Sequence, residues 1–140
     1  MAEMTAKLDE MVTNYPALVS KFSIGTTIEG RDIWCVKISD NAAADETEPE
    51  VLYTGLHHAR EAMSAHNLIF FMQYILQNYT ADNRVATIIN NRELYFIPCI
   101  NPDGWNYNCT TNPNGGGMHR KNRKDFGVTQ TNKGVDLNRN

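Results

Sequence analysis

The feature that most constrains this chain is the change of hydrophobic period at Gly55. Before it, Val51-Leu52-Tyr53-Thr54 is a short unbroken run of strand-forming residues, the pattern of a strand covered on both faces. After it, Ala65, Leu68, Ile69, Met72, Ile75, Leu76 and Tyr79 recur at i, i+3, i+4 and i+7, with Phe70, Phe71 and Tyr74 widening the apolar face. A strand feeding into a long, largely buried helix predicts an α/β fold. The junction reads GLHHAREAMS, Gly55 to Ser64, and sets His58 and Glu61 three residues apart. In a first helical turn that spacing puts both side chains on one side, within reach of a single cation. Strand ends in open α/β sheets are also where such sites form.

The flanking segments supply the rest of a sheet. Met1, Met4, Leu8, Met11 and Val12 fall at helical spacing and are stopped by Asn14-Tyr15-Pro16. Phe22 and Ile24, then Trp34, Val36 and Ile38, alternate at period two on either side of Glu29-Gly30-Arg31, which predicts an antiparallel hairpin in the outer part of the sheet. The acid-rich stretch 42–50 has no apolar period and is expected to be a solvated loop before the central strand. Asp82 suits the cap of a second helix through Val85, Ile88 and Ile89, and 93–100 returns as a strand. Strand, helices and strand predict a right-handed crossover to a parallel neighbour. From Asn101 the periodicity stops, and a long loop containing Gly115-Gly116-Gly117 is expected to run to Asn140.

Composition narrows the function classes. With 140 residues, 41% hydrophobic and 21% charged, the chain can form one core, and it shows no repeat or linker that would divide it. A net charge of −3 gives no global attraction to nucleic acid or anionic lipid. The uncharged run from Ala62 to Ala81 carries Ser64, His66, Asn67, Gln73, Gln77 and Asn78, which mark a buried soluble helix rather than a membrane span. Met1-Ala-Glu-Met-Thr lacks the basic start and apolar stretch of a secretory leader. Three cysteines without a Cys-x-x-Cys spacing neither define a disulfide framework nor offer a thiolate metal site, and Cys35 and Cys99 read as small hydrophobes in strands. Asn78-Tyr-Thr and Asn108-Cys-Thr match the glycosylation acceptor pattern.

A His-x-x-Glu spacing is common, but here it has company: NPDG at 101–104, RKNR at 120–123 and DLNRN at 136–140, in that order. Together these resemble the zinc metallocarboxypeptidases of the carboxypeptidase A type, especially the bacterial secreted carboxypeptidase T branch, from about Tyr15 onward. The resemblance implies a three-layer α/β/α sandwich with a mixed, mostly parallel central sheet, of which residues 1–140 form the N-terminal portion of a single catalytic domain. It implies a secreted, zinc-dependent exopeptidase that hydrolyses the C-terminal peptide bond of peptides and proteins. One zinc ion would be held by His58 and Glu61.

Arg123 would stabilise the oxyanion that develops during attack, a task for a fixed guanidinium in a water-poor site. Arg60 and Arg120 would contact substrate. Asn138 and Arg139 would grasp the free α-carboxylate, for which an arginine fork and an amide are suited. His57 is expected to point away from the metal, and Asp103 to shape a turn or orient a metal ligand rather than take part in catalysis. In this family the third zinc ligand, the general-base glutamate and a substrate-binding tyrosine come from further along the chain. Residues 1–140 alone are therefore expected to be inactive and to associate through an exposed sheet edge. A non-catalytic zinc or peptide-binding module and a related amidase or deacylase are the other readings. A histidine and a glutamate downstream of residue 140 would favour the enzyme, and Asn138-Arg139 beside Arg123 favours a peptide terminus over a small acylated compound.

Overall fold

The computed structural model of the chain describes residues 1–127 and 133–139; Asn140 and part of the expected long loop lie outside the described residues. In chain order the elements are α1 (Ala2–Asn14), β1 (Val19–Thr26), β2 (Asp32–Ile38), β3 (Glu50–Thr54), α2 (Ala62–Asn78), α3 (Asn83–Ile89), β4 (Glu93–Ile97) and α4 (Pro102–Thr111). The strands form a mixed sheet in the order β1-β2-β4-β3. β1 and β2 are the expected antiparallel hairpin, β4 runs antiparallel to β2, and β3 and β4 are the expected parallel pair. Among the described residues one pairing in three is thus parallel. The strand read as central, β3, stands at the rim instead, because the chain returning through α2 and α3 inserts β4 between β3 and β2. β2, expected on the outside, is correspondingly one place in.

Period two in the strands sorts the sheet's two sides. Val36 and Ile38 of β2 and Leu94 and Phe96 of β4 pack with Leu8 and Met11 of α1, Met72, Ile75 and Leu76 of α2, and Val85 and Ile89 of α3. Phe96 is fully buried at the centre, stacked on Tyr53 at 5.0 Å and edge-on to Phe71 at 5.7 Å. The first three helices therefore share one side of the sheet. On the other side Phe22, Ile24 and Leu52 are 41%, 50% and 61% exposed and, with Cys35, Tyr95 and Ile97, line a shallow apolar depression. The second helical layer of the expected sandwich is not built from the described residues.

One end of that second side is closed by the acidic loop, which is less solvated than expected. Lys37 and Glu93, both buried, pair at 2.5 Å; Lys37 Nζ also donates to the carbonyl of Ala44, and the backbone N–H of Glu46 and the Tyr95 hydroxyl donate to Glu93. The Lys37 contact, with further hydrogen bonds, holds the Glu93 carboxyl below its usual range against the opposing effect of burial. Burial and the Glu93 anion push the Tyr95 phenol up to about 12. These bonds offset the desolvation of the Lys37–Glu93 pair, as a buried ion pair requires.

Three further expectations change. Phe70 and Tyr74 do not widen the apolar face of α2: they are 68% and 44% exposed and stack on each other at 6.4 Å. β4 stops at Ile97 before Pro98, which leaves Cys99 buried but outside the strand. The segment read as loop from Asn101 begins with helix α4, capped by the Asn101 side chain, which accepts from Gly104 N–H, and with proline in its first turn. α4 has no apolar stripe because it buries Pro102, Asp103, Gly104 and Asn108.

Candidate metal centre

β3 ends where Gly55 N–H donates to Ile97 carbonyl and Gly55 carbonyl accepts from Ile100 N–H, both at 3.0 Å. A Cβ on Gly55 would stand 3.0 Å from the Pro98 carbonyl oxygen. The chain then bends sharply: Leu56, 1% exposed, has φ of 51°, a left-handed conformation unfavourable for a branched side chain, and its N–H is held by Ser64 Oγ. α2 does not begin until Ala62, with Glu61 as its N-cap residue. His58 and Glu61 therefore lie in the turn before the helix rather than in its first turn. That turn is closed by Glu61 N–H donating to His58 carbonyl at 3.0 Å, and it brings His58 Nδ1 and Glu61 Oε1 to 3.0 Å. His58 is 4% exposed, whereas the Glu61 side chain is 54% exposed.

The other imidazole nitrogen is taken. His58 Nε2 lies 2.9 Å from Asp136 Oδ1, and Asp136 Oδ2 accepts from Arg120 Nε at 2.9 Å. Asp136 also accepts the N–H of Asn138 at 3.0 Å. Burial pushes the Asp136 carboxyl up, but the hydrogen bonds from Asn138, Arg120 and His58 outweigh it and hold the group well below the usual carboxylate range. An ionised Asp136 is placed to accept a proton from Nε2, the tautomer that leaves the lone pair of Nδ1 on the Glu61 side. In that tautomer two electron-pair donors face each other across 3.0 Å, an arrangement that a bound cation would satisfy. A tetrahedral zinc with bonds of about 2.0–2.1 Å sets its ligand atoms about 3.3 Å apart, so the pair needs to open by only a few tenths of an ångström. An imidazole with a carboxylate is also a donor set that zinc accepts. Among the described residues no cluster of three ligand atoms includes His58, so these residues offer two ligands.

Asp136 was not singled out in the sequence, where its motif drew notice for Asn138 and Arg139. Its contact with His58 spans 78 positions, and no local pattern reports such a pairing. What brings it in is Asn122, whose backbone and side chain bond Val135, together with Gly134. Gly134 has φ of 97°, and a Cβ there would strike the Asn122 carbonyl. Asn138 and Arg139 themselves occupy the turn after Asp136, with backbone N–H groups tied to it and exposed side chains.

Helix α4 is the platform for the arginines. Asn101 Nδ2 donates to the carbonyls of His57, Arg120 and Lys121, Ala59 N–H donates to Arg120 carbonyl, and Asn108 Nδ2 bridges the carbonyls of Ala59 and His119. The 119–121 segment is thereby fastened along the metal-site turn. Asn108 is 5% exposed and fully engaged, so the acceptor pattern there is structural. Arg123 is 8% exposed, its guanidinium 3.8 Å over the ring of Tyr107. Arg60 and Arg120, with Lys121 and Lys133, line a groove of about 580 Å³ beside Tyr107, a basic setting suited to an anionic ligand. His57 is held by its carbonyl; His66 is exposed on α2, and His119, its pKa lowered chiefly by burial, packs edge-on to Tyr107 at 5.0 Å. Asp103 spends its carboxylate on the β1–β2 hairpin, accepting from Thr27, Glu29 and Arg31.

Against known proteins, the profile of the zinc carboxypeptidase family matches residues 4–140. The chain belongs to the zinc carboxypeptidase family. Among curated relatives of this zinc carboxypeptidase chain, the zinc carboxypeptidase of Saccharothrix mutabilis subsp. capreolus is 37% identical over 138 residues, covering 99% of this chain and 31% of the relative. Carboxypeptidase B of Astacus astacus is 32% identical, covering 99% of this chain and 42% of its own length. The crystal structure of carboxypeptidase A from Helicoverpa armigera superposes with a TM-score of 0.82 at 29% identity, covering 99% of this chain and 32% of that one. Thrombin activatable fibrinolysis inhibitor gives 0.86 at 25% identity over the same 99%. The α/β fold is thus that of carboxypeptidase A, and the chain spans roughly a third of the length of these relatives. Among the described residues no helix is long and apolar enough to cross a membrane.

Proposed function

We propose that residues 1–140 are the N-terminal part of the catalytic domain of a zinc-dependent exopeptidase that removes C-terminal residues from peptides and proteins, within the carboxypeptidase T branch and acting outside the cell. The observation that carries this reading is the facing pair, His58 Nδ1 and Glu61 Oε1 at 3.0 Å, with the far side of the imidazole anchored by Asp136. His58 and Glu61 would hold a zinc ion, which when bound would supply Lewis acidity to activate water and polarise a carbonyl. The chain's own residues do the rest of what falls to it. Asp136 keeps the imidazole in the ligating tautomer, Arg123 stabilises the developing oxyanion, Arg60 and Arg120 contact the peptide along the basic groove, and Asn138 with Arg139 receives the terminal carboxylate. The third ligand, the general base and the side-chain pocket come from the remainder of the domain.

Two of four ligands retain about half of the roughly 10–16 kcal/mol typical of a complete zinc site, so residues 1–140 alone should bind zinc with about micromolar to near-millimolar affinity. The whole protein should hold one zinc and release C-terminal residues. His58→Ala and Glu61→Ala in the whole protein should each abolish stoichiometric zinc, measured by elemental analysis after dialysis. Unchanged zinc content in both variants would remove these residues from the role.

A further inference from the structure

We propose that Glu29 and Tyr107 are positioning residues for Arg123, so that the tip of the β1–β2 hairpin, nearly a hundred positions away in sequence, helps to set the electrostatics of the reaction centre. This inference rests on the proposed part of Arg123 in stabilising the oxyanion.

The hairpin tip is exposed at Ile28 to Gly30 but is held by specific bonds. Gly30 N–H donates to Thr27 carbonyl and Thr27 N–H to Arg31 carbonyl, with Gly30 at φ of 77°. The tip is bolted to the first turn of α4 by Asp103, which is 2% exposed and accepts from Thr27 Oγ1 at 2.7 Å, from Glu29 N–H at 3.1 Å and from Arg31 Nη1 at 2.7 Å. Arg31 Nη1 also grips Glu29 Oε2 at 2.5 Å. One carboxylate oxygen of Glu29 is thereby fixed. The other, Oε1, lies 3.6 Å from Arg123 Nε, an ion-pair separation.

Arg123 is confined from a second side by the face of Tyr107, 3.8 Å from the guanidinium carbon, in cation–π contact. That ring is itself braced edge-on by His119 at 5.0 Å. Arginine has a long, flexible stem, and stabilising a charge that exists only in the transition state requires the fork to be held before the charge appears. A fixed carboxylate beside Nε and an aromatic plane over the fork restrict both the swing and the roll of the group. The rest of the polar network makes the placement specific, because Asp103 anchors the Glu29 backbone and Arg31 its side chain. Were Glu29 merely a solubilising tip residue, neither anchor would be needed.

The test is a double-mutant cycle in the whole enzyme, read as kcat and KM separately, with zinc content measured for every variant. Glu29→Gln retains an oxygen for Arg31 but removes the anion. It should lower kcat about tenfold, with KM within about twofold and zinc unchanged, because the restraint acts on a transition-state contact. In an Arg123→Ala background the same substitution should change kcat by less than about twofold. Tyr107→Leu should follow the same pattern and Tyr107→Phe, which keeps the ring, should not; this pair decides the matter if Glu29→Gln fails to fold. An equal loss in both backgrounds, or a loss that follows zinc content, overturns the positioning role. Full kcat in Arg123→Ala alone would instead overturn the part given to Arg123, a different result from additive losses.

Discussion

His58 is committed through both ring nitrogens, one to a carboxylate that orients it and one to a carboxylate that shares its ligand direction. The orienting group has a pH signature that can be worked out. The folded-state pKa of Asp136 is depressed from the ordinary 3.8, so its stabilising contribution is present above that value and is lost as pH falls through the folded value. The part of the stability difference between the wild-type protein and Asp136→Asn that comes from the Asp136 carboxylate should hence shrink as pH falls below about pH 4. Melting temperatures of the two proteins from pH 7 down to about pH 2 check this; a gap that stays the same below about pH 4 would show that the folded Asp136 carboxyl is not depressed and does not hold His58. The same substitution should weaken zinc binding by about 10–100-fold, read by chelator competition, since a neutral amide orients the imidazole less firmly and lowers its basicity. A normal affinity would leave the tautomer to some other group.

At the scale of elements, what was legible followed the apolar periods. α1, the hairpin, α2, α3 and the β3/β4 parallel pair all announce themselves by spacing or by a cap residue, and the closeness of His58 and Glu61 by their spacing. α4 did not, because its buried residues are asparagine, aspartate, proline and glycine, chosen to bond loops rather than to fill a core. Its signal was chemical instead: Asn101 before Pro102 is a helix cap followed by a first-turn proline. Phe70 and Tyr74 misled in the opposite sense, as aromatic side chains on the outer face of a helix whose stripe was already complete. Asp136 and Glu29 were invisible for a third reason, since each acts across a large sequence separation. The weight borne by α4 can be measured through Asn101, which is 2% exposed and joins a cap to three carbonyls. Asn101→Ala removes the cap, about 1 kcal/mol, and leaves buried carbonyls unpaired at about 1–3 kcal/mol. A loss of about 2–4 kcal/mol in denaturant unfolding of the whole protein is expected, with zinc binding weakened as the 119–121 segment loosens. A loss below about 0.5 kcal/mol would mean that the metal-site turn does not lean on this helix.

The whole molecule shows an imbalance between the two sides of its sheet. Three helices cover one side, while Phe22, Ile24 and Leu52 stand open on the other and, among the described residues, β3 is the last strand of the sheet. In isolation such a surface should drive association, because a flat apolar strand at a sheet edge templates pairing with another chain. In the proposed complete domain the same side should be covered by the second layer of the sandwich. Leu52 separates the two situations, since it is 61% exposed in the middle of β3. In residues 1–140 alone, Leu52→Lys should raise the concentration at which light scattering detects oligomers, by placing a charge on an edge strand. In the whole protein it should instead lower stability by about 2–3 kcal/mol, because a lysine would replace a leucine in a packed interior. The opposite signs are the decisive feature. A substitution that is harmless or helpful in both would show that this side stays open to solvent in the complete enzyme, and the two-sided sandwich inferred from the family would then not extend to this protein.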